Sequence, residues 1–149
     1  MRQDFQRRLE VPAANQRVWE TLVDVRQVAS WLSIVGEVQE LERLRRYRAV
    51  LEDRLGPFKL RADLDIELHD VEEGHGLAAR ATGEDRQVGS RISVEASLRL
   101  EAADSGTALL LAGSYEVTGR VASLGAGSIR KKGETLLDDF FLNARASFS

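Results

Sequence analysis

Cysteine is absent from this 149-residue chain, which excludes disulfides, cysteine-ligated metals and thiol chemistry. Long apolar runs are missing too: no stretch approaches the ~20 residues that a membrane-spanning helix needs. Neither sign of charge dominates. With 21 Lys and Arg against 24 Asp and Glu, the formal net charge is −3, so nothing in the composition calls for nucleic acid as a partner. Histidine occurs only twice, and His69 and His75 bracket a turn without an HExxH pattern or a carboxylate set at metal spacing. A metal site and general-base chemistry are therefore not expected from them. The first residues, MRQDFQRRLEV, are charged and lack the apolar core of a signal peptide, so cytoplasmic residence is the default expectation. No motif implies a cofactor.

What is present is ordinary globular material: 43% hydrophobic and 30% charged residues, without repeats, linkers or low-complexity tracts. That composition suits a single domain over residues 1–149. Phe5, Leu9 and Val11 alternate with polar residues as a short strand, which Pro12 ends. Val18, Trp19, Leu22 and Val23, then Val25, Val28, Ala29 and Leu32, recur at helical spacing, predicting two short helices with a break near Asp24–Val25 and an end at Gly36. The segment GEVQELERL is a weak strand. From Arg45 the alternation is clear. Tyr47, Ala49, Leu51 and Leu55 share one phase, and Gly56-Pro57 signals a turn. Phe58, Leu60, Ala62, Leu64, Ile66 and Leu68 then face one way, against a wholly polar opposite face, as in an antiparallel sheet wetted on one side. Strands through Leu77–Ala81, Ile92–Leu100 and Leu109–Val117 follow, with TGEDRQVG read as a loop between the first two.

Those strands must bury one face, and the only long helix available is predicted over Gly119–Phe148. Its apolar positions (Val121, Leu124, Ile129, Leu136, Leu137, Phe140, Phe141, Ala144, Phe148) recur mostly at three- and four-residue steps. Its first half is built of small residues, Ala122, Ser123 and Gly125–Ser128, and Gly133 falls on the apolar face. A sheet of this length with one oily side curls, and wrapping it around the helix satisfies both elements. The predicted class is α+β: a curved antiparallel sheet around a long C-terminal helix, with two short helices after the first strand. Inward positions such as Ala49, Ala62, Ala79, Ala81, Ala96 and Gly113 are small. Interiors are normally close-packed, so small residues on a concave face predict volume for a ligand. The candidate cavity lining is Tyr47, Leu51, Asp53, Phe58, Leu60, Ala79, Leu98, Tyr115, Gly133, Leu136 and Phe140.

Each candidate has a plainer reading. The aromatics Tyr47, Phe58, Tyr115, Phe140 and Phe141 are either a stacking wall for an apolar ligand or ordinary core; Trp19 and Trp31 read as core or rim. Asp53 lies in the phase of Leu51 and Leu55, and Arg7 in that of Phe5 and Leu9. A charge facing a core must be paired or hydrated. Each is then either a polar anchor or a strand-end residue in water. Gly-Ala-Gly at 125–127 lacks the Lys-Ser/Thr of a phosphate loop and suits close packing or a cavity mouth. Arg130, Lys131 and Lys132 fit a partly solvated helix face, with at most peripheral contact to anionic headgroups. No catalytic set is recognisable.

Several segments together resemble the CoxG family, named for the CoxG subunit of carbon monoxide dehydrogenase, within the START-like (SRPBCC) helix-grip superfamily. They are VPAANQRVWETLVD, LERLRRYRAVLEDRLGPFKLRADLDIEL, GSRISVEASLRLE and GRVASLGAGSIRKKGETLLDDFF, and the resemblance covers nearly the whole chain. Two features depart from the family pattern: Val35-Gly36 stands where a Pro-Gly is usual, and no apolar extension follows the helix. The resemblance implies the helix-grip fold and non-catalytic binding of a hydrophobic small molecule, of the quinone or lipid-like kind. It also implies an accessory role beside a molybdenum hydroxylase such as carbon monoxide dehydrogenase. The alternatives are a cyclase/aromatase- or hydrolase-like enzyme of the same superfamily, with Asp53, Arg7 and Tyr115 as the candidate acid/base groups, and a protein-interaction module with a filled core.

Overall fold

Alternation gives each long strand one oily face. In the computed structural model, which describes residues 1–149, seven strands bring those faces to one side of a single sheet. In chain order the elements are β1 (Arg2–Val11), α1 (Asn15–Leu22), α2 (Val25–Ser30), β2 (Gln39–Glu42), β3 (Arg46–Leu55), β4 (Phe58–Glu72), β5 (Gly76–Asp85), β6 (Ser90–Ala103), β7 (Gly106–Gly119) and α3 (Ala126–Ser147). The sheet order is β1-β7-β6-β5-β4-β3-β2, and every pair is antiparallel. The fold is α+β, a helix-grip sheet with a long terminal helix and short helices after the first strand, as expected.

The break between the short helices has a local cause. The Asp24 carboxylate accepts a hydrogen bond from the Gln27 N–H at 3.3 Å, capping α2. Gly36 donates its N–H to the Val50 carbonyl, which returns the chain to the sheet. Two expected elements differ. The segment TGEDRQVG is only partly a loop, because β5 continues to Asp85. There the buried Asp85 carboxylate accepts from the Arg61 and Val88 N–H groups at 2.8 and 3.0 Å and so closes the β5–β6 turn.

The other difference is in the terminal helix. Instead of running unbroken from Gly119, the chain makes a 3-10 turn at Arg120–Leu124 and breaks at Gly125, whose φ of +91° favours glycine. The α-helix is the 22 residues of α3, roughly 33 Å at 1.5 Å per residue. Ser123 and Gly125–Ser128 are exposed. The small-residue half therefore faces solvent and does not lie thinly over the sheet.

The core is closed at both ends of the helix. At its C-terminal end Trp31 meets Phe140 and Phe148 edge-on at 5.3 and 6.2 Å. Trp31 Nε1 also donates to Ser147 Oγ, and Asn143 donates to the Trp31 carbonyl. At its N-terminal end Val121 and Ile129 are buried, and the Val121 N–H donates to the buried Ser90 hydroxyl.

Candidate ligand site between the terminal helix and the sheet

Strand register aligns the inward residues into rows across the sheet. One runs Phe5–Gly113–Ala96–Ala79–Leu68, and the next Gln3–Tyr115–Val94–Ala81–Ile66–Tyr47. All but Leu68 and Tyr47 are half-buried, although they lie on the concave face. On α3, Ile129, Phe140 and Ala144 are buried, while Gly133, Leu136 and Leu137 between them are half-buried. Inward apolar side chains keep accessible surface only where they border space that admits a water-sized sphere. The alanines and glycine of the two middle rows offer little bulk to the helix, and their half-burial leaves this central surface only partly covered. The site is this central space.

Gly133 faces the sheet, as its phase predicts, but the reason is different from the one the sequence suggests. The Tyr115 phenol packs against it: a Cβ at Gly133 would lie 2.5 Å from Tyr115 Oη and 2.9 Å from Cζ. Glycine here makes room for a tyrosine. Tyr115 also stacks on Phe5 at 6.3 Å with 25° between ring planes. Its hydroxyl has no hydrogen-bond partner within the protein. No side-chain polar atom is fully enclosed without a partner, so this hydroxyl opens onto the accessible space. Burial, the largest influence, pushes its pKa above the ordinary value; the Arg130 charge opposes that shift and Glu134 adds to it. At neutral pH the group is a phenol able to donate.

Charged groups nearby tie the helix to the sheet. Asp53 faces inward with a side chain 13% exposed, and its Oδ1 accepts from Lys132 Nζ at 3.0 Å and from the Arg54 N–H at 2.8 Å. It is a tether between β3 and α3, neither a strand-end residue in water nor a free anchor. Arg130 Nε donates to Gln3 Oε1 at 3.1 Å. Two of the three basic residues expected on a solvated face therefore tie α3 to opposite sides of the sheet. Arg7 does point inward in register, but its guanidinium folds back to the Gln6 carbonyl at 3.4 Å along edge strand β1.

The remaining candidates divide. Ala79, Tyr115, Gly133 and Leu136 converge on the central space. Phe58 is half-buried but pairs with Leu55 at the β3–β4 hairpin, away from the middle rows. Tyr47, Leu51, Leu60, Leu98 and Phe140 are all buried core. Tyr47 is further committed, since its hydroxyl accepts from the Leu44 N–H at 2.8 Å. Phe5, Val94 and Leu137 belong to the site and were not among the candidates. Their periodicity was visible, but only the register sets Val94 beside Tyr115 and only the packing stacks Phe5 on it, while Leu137 lies one helical turn beyond Gly133. Two concavities of about 680 and 290 Å³ lie elsewhere, along β2–β5, and no α3 residue lines them. His69, at the rim of the larger, pairs with Asp70 at 2.8 Å.

A curved antiparallel sheet gripping a terminal helix over a partly open apolar centre defines a START-like protein. The structure is similar to a START superfamily protein from Mycobacterium smegmatis, with a TM-score of 0.71 at 12% identity, covering 97% of this chain and 96% of that one. It is also similar to a conserved protein from Geobacillus kaustophilus, with a TM-score of 0.83 at 20% identity, covering 99% and 95%. At these identities the likeness shows the fold. The family is shown by sequence: the family model for CoxG, the CoxG subunit of carbon monoxide dehydrogenase, matches residues 8–149. The chain belongs to the CoxG family. No protein of curated function matches it at a significant level. No helix is long and apolar enough to cross a membrane.

Proposed function

We propose that this protein binds a hydrophobic small molecule between the middle of α3 and the concave sheet, without transforming it, as an accessory to a redox enzyme. The observation that carries this reading is the half-buried apolar centre: Phe5, Ala79, Ala81, Val94, Ala96 and Gly113 beneath Gly133, Leu136 and Leu137. Filling such a space with an apolar ligand gains roughly 25 cal/mol per Å² of apolar surface removed from water. Membership of the CoxG family supports a molybdenum hydroxylase such as carbon monoxide dehydrogenase as the enzyme served, and a quinone or other lipid-like molecule as the ligand. A cyclase- or hydrolase-like reaction would need acid/base groups free to meet a substrate. Asp53 is held by Lys132 and Arg7 is folded onto the edge strand, which leaves Tyr115 as the single free candidate, without a second group to work against.

Non-denaturing mass spectrometry of the protein purified from its own host, followed by organic extraction and identification of the released mass, tests the proposal. One apolar molecule per chain is the expected result. A ligand-free chain that also takes up no apolar probe would leave the protein-interaction module as the better reading.

A further inference from the structure

Tyr115 is the one polar side chain directed into the apolar centre that the protein leaves without a partner. Its hydroxyl is accessible and so is free to bond to whatever occupies the space. Replacing this residue by phenylalanine would fill the same wall without a hydroxyl to satisfy. The surroundings also hold the phenol in place: its ring lies on Phe5, and Gly133 removes the side chain that would otherwise occupy its position. A helix-interior glycine costs up to about 1 kcal/mol relative to alanine, so the chain gives up helix stability to seat this phenol under α3. The two cations of α3 nearest the site are each engaged, Arg130 by Gln3 and Lys132 by Asp53. Only the Lys132 charge is neutralised, because the Gln3 amide oxygen carries no charge.

We infer that the Tyr115 hydroxyl is the hydrogen-bond donor that orients the bound ligand, and that the ligand is a largely apolar molecule carrying an oxygen acceptor. The inference rests on the carrier reading, which supplies the space. Within it Tyr115 sets specificity: the apolar rows give affinity for any oily molecule of the right size, and the phenol selects one with an acceptor at one point.

The test uses two neutral fluorescent probes on the full chain: 6-propionyl-2-dimethylaminonaphthalene, which carries a carbonyl acceptor, and diphenylhexatriene, which carries none. The wild type should bind both, with the carbonyl probe emitting as in a hydrogen-bonding alcohol and not as in an aprotic solvent of similar polarity. Tyr115→Phe should weaken the carbonyl probe about 3- to 10-fold, abolish that red shift, and leave diphenylhexatriene within twofold. If both probes bind and Tyr115→Phe changes neither the affinity nor the emission of the carbonyl probe, the donor role is wrong and the carrier reading stands. If neither probe binds the wild type, the carrier reading fails and takes this inference with it. Should Tyr115→Phe fold poorly, the wild-type emission alone decides: an aprotic spectrum overturns the proposal.

Discussion

The two halves of α3 are built on the same helical periodicity and do opposite things. Around Phe140, Ala144 and Phe148 the helix presents bulk, and Trp31 closes over it edge-on. Around Gly133, Leu136 and Leu137 it passes over rows of alanine and glycine and stays half-buried. Sheet curvature is common to both, so the difference lies in side-chain volume at matched positions. One helix can serve as stopper at one end and as roof in the middle. Stability is concentrated where the packing is dense, which leaves the roof free to be shaped for a ligand.

The comparison can be broken most forcefully at the closed end. Phe148→Ala removes a side chain only 1% exposed and should cost about 3–5 kcal/mol, read as a large fall in the midpoint of chemical denaturation. Probe affinity of the folded fraction should stay within twofold. A comparable loss of probe binding would mean that the two regions are one unit.

In the middle, Gly133→Leu should cost about 1–3 kcal/mol through overpacking against Tyr115. It should also lower diphenylhexatriene binding several-fold as the phenol is driven into the space. A variant as stable as the wild type with unaltered binding would show that the helix moves away from the sheet at little cost. Smaller again is the effect on the tether. Lys132→Met strands the mostly buried Asp53 carboxylate and should cost about 1 kcal/mol, between the values for exposed and buried pairs. Probe dissociation should become faster as that side of the roof loosens, which stopped-flow fluorescence would detect.

The last effect lies at the other closed end and is removed by acid. Hydrogen bonds from the Arg61 and Val88 N–H groups hold the Asp85 pKa below its ordinary value of 3.8, against the opposing influence of burial. A carboxyl depressed in the folded state contributes stability that is fully present above its unfolded pKa and lost as pH falls through the folded value. Asp85→Asn should therefore be less stable than the wild type at neutral pH, with the gap closing as pH drops below about 3.8. A gap that persists unchanged at low pH would assign the loss to packing and not to ionisation.

Local pattern carried most of the fold. Six alternations from Phe58 to Leu68 define a strand with one oily face whatever lies beside it, and Asp24 stops one helix and caps the next through bonds within four residues. Residues that act through their neighbours in sequence can be read in sequence. Gly133 shows where that ends: its place on the apolar face was legible, but its purpose was not, because Tyr115 lies on another element and only the β7–α3 packing brings the phenol to it. The tether of Lys132 to Asp53 and the half-burial of Phe5, Val94 and Leu137 are of the same kind. The amino-acid sequence by itself determined the order of strands and helices, the inward face of the long strands and the family, but not where β5 ends or where the terminal helix begins. Only the tertiary structure decided which inward residues meet and where space is left between them. Register and helix placement couple residues dozens of positions apart, and a void is a property of two surfaces together.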